Sequence, residues 1–426
     1  MDKTRKHLIS LAVFTAISTV VPATTFAQLH LEIAKAPEQA PKIAIVPFTN
    51  DKAIYPIVES DLNRSGRFTS ASQNLPATAS IDQIQAGDWQ NAGVPYVVVG
   101  QMKAIDANTF EIQYQLYDVQ KQQYLLNEVL TVPSSRIRQA GHMISDAIYQ
   151  ALTGIAGDFS GRIAYVLRNQ ATPAQRYTLQ VADTDGEQPK TVLSSRDPIL
   201  SPAWTPDAKK IAYVSFETKR PAIYLQDLAS GQREVLASFR GLNGAPSFSP
   251  DGKSMLFTAS MHGNPEIYQM DLASRQVKRM TNDSAIDTEA RYAPDGKSFI
   301  FTSDRGGSPQ IYSYRFDDGS VKRLTFKGAF NACTKAADGK KIALVHRPSG
   351  SNYKVAIQDI NTGITNILTP TSLDESPSFS PNGQMVVYAT REGERGLLSI
   401  MSTDGRFRMN LPSEQGEVRE PAWAPK

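Results

Sequence analysis

The sequence predicts a small α/β N-terminal domain followed by an all-β six-bladed β-propeller, and three observations carry that prediction. A Pro-containing turn motif recurs at nearly constant spacing from Ser201 to Lys426. Residues 42 to about 155 lack the motif and mix strand-like with helix-like apolar patterns. The final stretch REPAWAPK repeats only the opening of the motif, without the strand that follows it elsewhere.

Taken in order, the chain starts on a secretory-signal pattern. Lys3, Arg5 and Lys6 precede the apolar run LISLAVFTAISTVV, and Thr25 to Ala27 supply a small-residue exit. Residues 1–27 are therefore read as a signal peptide cleaved before Gln28. The run is shorter than the roughly 20 apolar residues that a spanning helix needs. In residues 28–41, Leu29, Leu31 and Ile33 alternate with His30, Glu32 and Ala34, a short strand pattern, and Pro37 and Pro41 mark a tether.

The α/β domain is assigned to 42–157. KIAIVPF and YVVVGQMK read as strands, IYPIVESDLNRSG as a helix stopped at Gly66, and FEIQYQLYDV with YLLNEVLTV as a hairpin. SSRIRQAGHMISDAIYQALTG reads as an amphipathic helix with a Ser N-cap and Gly154 at its end.

The propeller is assigned to 158–426. The marker proline stands at 206, 250, 294, 381 and 425, with Ala337 in the missing slot, in steps of 44, 44, 43, 44 and 44 residues. An Asp-Gly-like turn, an apolar strand and a second strand follow most markers. A repeat of about 40–45 residues carrying four short strands fits a propeller blade. GRIAYVLRN matches the strand after the turn but lacks the opening before it, so Glu420–Pro425 is expected beside Ile163–Leu167. Such a shared blade pairs the edges that the chain ends would otherwise leave open.

Composition bounds the function. With 41% hydrophobic and 20% charged residues the chain is an ordinary globular protein. The formal charge is +3, of which the first 27 residues carry +2, so nothing calls for nucleic acid. Cys333, the single cysteine, permits no internal disulfide and falls at a strand position. There is no G-x-S-x-G, H-E-x-x-H or P-loop pattern. His30, His142, His262 and His346 stand singly and are read as surface or packing residues. Asp227, Asp271 and Asp359 share one register and are read as turn residues, with Arg315 breaking the series. No catalytic residue, metal ligand or cofactor is expected. A propeller enzyme acting on cell-wall sugar or peptide, and a purely structural assembly domain, stay open beside a binding protein.

Particular stretches then suggest a family. IAIVPF, SDLNRSGRF and YVVVGQ in the first domain, RQAGHMISDAIYQALTGIAGDFSGRIAYV at the junction, and NGAPSFSPDGK, LDESPSFSPNG and STDGRFRMNLP in the blades resemble the TolB family of the Tol-Pal system. The fourth repeat, NACTKAADGK, departs most and lacks both prolines and the aromatic residue. The resemblance implies a periplasmic, monomeric, non-enzymatic protein that links two partners, maintains the outer membrane and supports its invagination at division. It implies that Pal, a peptidoglycan-associated lipoprotein, binds one mouth of the propeller. The loops DPILS, GLNGA, AIDTE, AFNA, SLDES and GEVRE would form that mouth, with Leu200, Leu242, Asn243, Ala245, Thr288, Glu289, Asn331, Asp374, Glu375 and Arg419 as contacts. It implies also that Leu29, His30, Leu31, Glu32 and Ile33 bind the C-terminal domain of TolA by adding a strand to it.

Overall fold

The computed structural model describes residues 31–32, 40–51, 53–71, 79–80, 83–169, 176–328, 333–335, 338–348, 351–371, 373–393, 395–412 and 416–426. For 31–32, 79–80 and 333–335 it describes the backbone alone. The expected signal peptide and most of the expected tail lie outside these residues.

The first domain is a five-stranded sheet in the order Thr69–Ser70, Lys42–Ile45, Tyr96–Ala104, Thr109–Asp118, Gln123–Pro133. The first two pairings are parallel and the last two antiparallel. The uninterrupted apolar runs have a simple cause: the sheet is covered on both faces. Ile43, Ile45 and Val98 pack with α1 (Ile54–Arg64) and α3 (Ile137–Thr153), while Ala44, Val97 and Val99 pack with Trp89 of α2 (Ala86–Asn91). The helix α2 has no counterpart among the sequence expectations, because six residues are too few to show a period.

Helix ends differ from expectation in one respect. Gly154 ends α3 at φ 72°, its N–H reaching the Gln150 carbonyl at 2.8 Å, as expected. The expected Ser N-cap is not formed. Ser134–Arg136 make a 3-10 turn, and α3 starts at Ile137 without a side-chain cap. A tighter turn at the start satisfies early N–H groups that a hydroxyl would otherwise take. In α1, Asp51 does the capping from two residues upstream, accepting from Ala53 N at 2.9 Å and Ile54 N at 2.8 Å.

The second domain is nearly all antiparallel strand. Four four-stranded sheets run in chain order from Ile199 to Ile367. A nine-stranded sheet joins the four strands from Glu375 to Asn410 to the set Glu417–Trp423, Arg162–Arg168, Tyr177–Asp183 and Lys190–Ser195 through one parallel pair, Gly396 with Glu417. The expected shared unit is present: Trp423 pairs with Ile163, Ala422 with Ala164 and Val418 with Leu167, and the strand begins at Glu417, earlier than the sequence suggested. The ninth strand is Leu31–Glu32 of the tail, antiparallel to Arg408–Met409. Turn chemistry repeats as expected. The side chains of Asp207, Asp251, Asp295, Asp338 and Asn382 each accept the N–H two residues on. Asp227, Asp271 and Asp359 accept N–H groups of their own turns, and Arg315 pairs with Asp317 instead.

Charged groups join the two domains. Lys426 Nζ meets Asp146 Oδ2 at 2.9 Å and also bonds the Gly157 carbonyl. The Asn382 amide donates to the Ala156 carbonyl at 2.8 Å and Arg67 to Gln384 at 2.9 Å, while Asn382 N donates to Asp158 at 2.7 Å within the second domain. Arg138 Nε donates to Asp183 at 2.9 Å and its Nη2 to Asp185. Burial holds the Asp158 carboxyl up at about 6, against the pull of the Asn382 N–H and Lys426. Gly157 permits this closeness: a Cβ there would lie 2.5 Å from the Asp146 Cα.

Candidate functional site

Strands Ile199–Trp204, Asn243–Phe248, Asp287–Tyr292, Glu375–Phe379 and Glu417–Trp423 line a central cavity of about 910 Å³. Each breaks register with its outer neighbour at one place. There Ser201, Ala245, Glu289, Ser376 and Glu420 take positive φ, from 47° to 58°. A non-glycine residue in this region costs about 1–3 kcal/mol and persists only when its surroundings enforce it. The residue after the bulge is Pro202, Pro246, Pro377 or Pro421 in four of the five. Proline is tolerated because a bulged inner edge needs no N–H there. The sequence motif is thus the mark of a bulge that faces the channel.

Four of the bulge residues, Ser201, Glu289, Ser376 and Glu420, line the cavity together with Asp374 and Glu375. Burial pushes the Glu420 carboxyl up to about 7; the Ser201 N–H pulls it down, and Glu375 and Glu289 push it further up. Burial also raises Glu289, with Arg291 and the Thr302 hydroxyl opposing. Nearby, Arg168, Arg391 and Arg419 converge on Glu417 and keep its carboxyl below the usual range despite burial. The mouth is therefore acidic inside and ionically tied at its edge.

Loops around this mouth carry Leu242, Ile286 and Leu373, which are 39%, 49% and 49% exposed. Sequence reasoning named the first and missed the other two. Their signal was present: each is the second residue of its loop in GLNGA, AIDTE and SLDES. Of the other expected contacts, Glu375 is exposed and Thr288 is half-buried, 3.4 Å from the Thr258 hydroxyl. Leu200 packs partly into the core, and Ala245 is buried at its bulge. Arg419 is half-buried against Glu417. Two expected contacts shape loops instead of facing outward. Asn243 is fully buried, its amide donating to the Phe239 and Pro221 carbonyls at 2.7 and 3.2 Å. Asp374, also fully buried, accepts from the Thr371 and Thr390 hydroxyls at 2.8 and 2.6 Å. Burial hides such residues from a reading of loop polarity.

Asn331, Leu29, His30 and Ile33 lie outside the described residues. Leu31 and Glu32 are described as backbone paired to the chain's own edge strand. Of the histidines, His142 departs from its expected packing role: it is buried among the Asp61, Asp183 and Asp185 carboxylates. Spacing along the chain could not show this, because the carboxylates come from both domains.

Comparisons with known proteins agree with this architecture. Residues 29–125 match the TolB amino-terminal domain and residues 149–426 the TolB beta propeller domain. The chain is 85% identical over 424 residues to the Tol-Pal system protein TolB of Acinetobacter baylyi, covering 99% of this chain and all of that one. It is 48% identical over 440 residues to the protein of the same name from Xanthomonas campestris, covering 99% of each. The crystal structure of TolB from Acinetobacter baumannii superposes with a TM-score of 0.89 at 86% identity, covering 94% of this chain and all of that one. An N-terminal domain of this kind, joined to a propeller through a charged junction, places the chain in the TolB family of Tol-Pal system proteins.

Proposed function

We propose that the chain is a periplasmic, non-enzymatic, monomeric adaptor with six blades, the nine-stranded sheet counting as two, that binds Pal at the channel mouth and the TolA C-terminal domain through its tail. In this role it maintains outer-membrane integrity and supports outer-membrane invagination during division. The observation that carries the reading is the mouth itself. Exposed Leu242, Ile286 and Leu373 surround a strained, carboxylate-lined opening, and an apolar rim over a rigid concave floor is the composition of a protein-binding site. The contact set is Leu200, Leu242, Ala245, Thr288, Glu289, Asn331, Glu375 and Arg419, joined by Ile286 and Leu373, with Asn243 and Asp374 holding the loops.

The tail reading rests on the family and is supported by the extended pairing of Leu31–Glu32 with Arg408–Met409 at the chain's own sheet edge. Calorimetry tests both arms. Thr288→Arg should abolish Pal binding at unchanged melting temperature, and a chain starting at Lys42 should lose TolA but keep Pal. Wild-type Pal affinity in Thr288→Arg moves that site elsewhere, and wild-type TolA affinity without the tail assigns TolA to the first domain.

A further inference from the structure

We propose that His142, Asp183 and Asp185 form a binding site for a zinc-type divalent transition metal at the junction of the two domains. His142 stands in the middle of α3; Asp183 ends the strand Tyr177–Asp183, and Asp185 lies in the turn after it. One donor atom from each lies within 4.8 Å of the others.

The imidazole carries the argument. His142 is 1% exposed, and its Nδ1 lies 2.7 Å from Asp61 Oδ2. A carboxylate oxygen accepts, so Nδ1 carries the hydrogen, and in the neutral imidazole Nε2 keeps its lone pair. That nitrogen has no hydrogen-bond partner. It faces Asp185 Oδ2 at 3.7 Å and Asp183 Oδ2 at 3.9 Å. A buried acceptor aimed at two carboxylates calls for a cation between them. Tetrahedral zinc with ligands at about 2.0–2.1 Å holds its donor atoms roughly 3.3–3.4 Å apart, so the two distances from Nε2 to the carboxylates would close by about half an ångström. Asp61 already sits where the outer carboxylate of a carboxylate–histidine–metal triad belongs.

Arg138 is the competing cation, since its guanidinium bonds both carboxylates. Its side chain is 25% exposed, and turning it to solvent exchanges one positive charge for two. Bound metal would tie α3 of the first domain to the second.

The test is calorimetric titration of Zn²⁺ into metal-stripped full-length protein, with Co²⁺ absorption as a second readout. One equivalent should bind, with a tetrahedral Co²⁺ spectrum. His142→Gln and Asp185→Asn should each weaken binding at least tenfold, and Arg138→Ala should strengthen it. His142→Gln keeps a polar side chain, and its melting curve separates lost binding from lost fold. Absence of binding in both wild type and Arg138→Ala overturns the proposal and assigns the Nε2 position to a proton. Binding that survives in the folded His142→Gln, Asp185→Asn double variant overturns it equally.

Discussion

The channel mouth and the domain junction are built from the same repeat yet treat their polar groups in opposite ways. At the junction charges pair across the boundary: Lys426 with Asp146, and Arg138 with Asp183 and Asp185. At the mouth Glu289, Glu375 and Glu420 crowd one opening, and three apolar side chains stand exposed beside them. The turns at Asp185 and Asn382 meet the first domain, whereas Asp207, Asp251, Asp295 and Asp338 at the equivalent turns are exposed. The loops at the other end meet only solvent. A repeat so regular in sequence therefore has one end partly spent on contacts with the first domain and one available to partners, and substitutions at the two ends should have separable effects.

The largest effect is expected where closure and junction coincide. Trp423 is buried in the closing strand, and Lys426 beyond it bonds α3. Trp423→Ala should cost about 3–5 kcal/mol, and deleting Glu420–Lys426 more, read as a fall in melting temperature or failure to fold. An unchanged melting temperature in the deletion would mean that the closing strand contributes nothing.

Next comes the junction alone. Asp146 accepts from Phe159 N at 2.7 Å, from the Ser160 hydroxyl and from Lys426. Asp146→Ala leaves these donors unmatched and should cost about 1–3 kcal/mol. Glu375→Ala, its counterpart at the mouth, should stay within about 0.5 kcal/mol of wild type. Denaturant melts of the pair check the comparison, and equal losses would break it.

At the mouth the effect should move from stability to affinity. Leu242→Asp, Ile286→Asp and Leu373→Asp each replace an exposed apolar group, so melting should hardly change. If each side chain is buried against Pal, it contributes about 1.5–3 kcal/mol, so each variant should bind roughly 10–100-fold more weakly. Calorimetry reads this directly, and a variant with full affinity removes its residue from the interface.

What the sequence disclosed follows the same division. The repeat, the shared strand and the turn carboxylates were legible because they depend on local chemistry repeated at fixed spacing. The Pro after each bulge even betrayed the channel edge, although the left-handed residue before it is Ser, Ala or Glu and gives no composition signal. The buried roles of Asn243 and Asp374 were not legible, since a loop Asn or Asp looks the same whether it faces solvent or holds its own loop. Nor was the company of His142, whose partners lie 81 residues before it and about 40 after it in the chain.

The smallest predicted effect separates the two ends by pH. Glu420 at the mouth titrates at about 7 and Asp158 at the junction at about 6, both above their usual values of 4.5 and 3.8. A raised carboxyl binds its proton more tightly in the folded state, so each destabilises the fold once ionised. That penalty is absent below the unfolded value and complete above the folded one. Lowering pH from 8 to 6 should therefore relieve the penalty at Glu420 more than that at Asp158, alongside any relief at Glu289, which burial also raises. His346, held low by burial, works in the opposite direction as it begins to charge in the unfolded chain, so the informative quantity is the difference between variants. Over this interval wild type should gain about 1–3 °C in melting temperature relative to Glu420→Gln. Asp158→Asn should keep most of the wild-type response from 8 to 6 and lose it only between 6 and 4. If Glu420→Gln tracks wild type across the whole range, the mouth carboxylates are not crowded enough to hold a proton near neutrality, and the electrostatic contrast between the two ends fails.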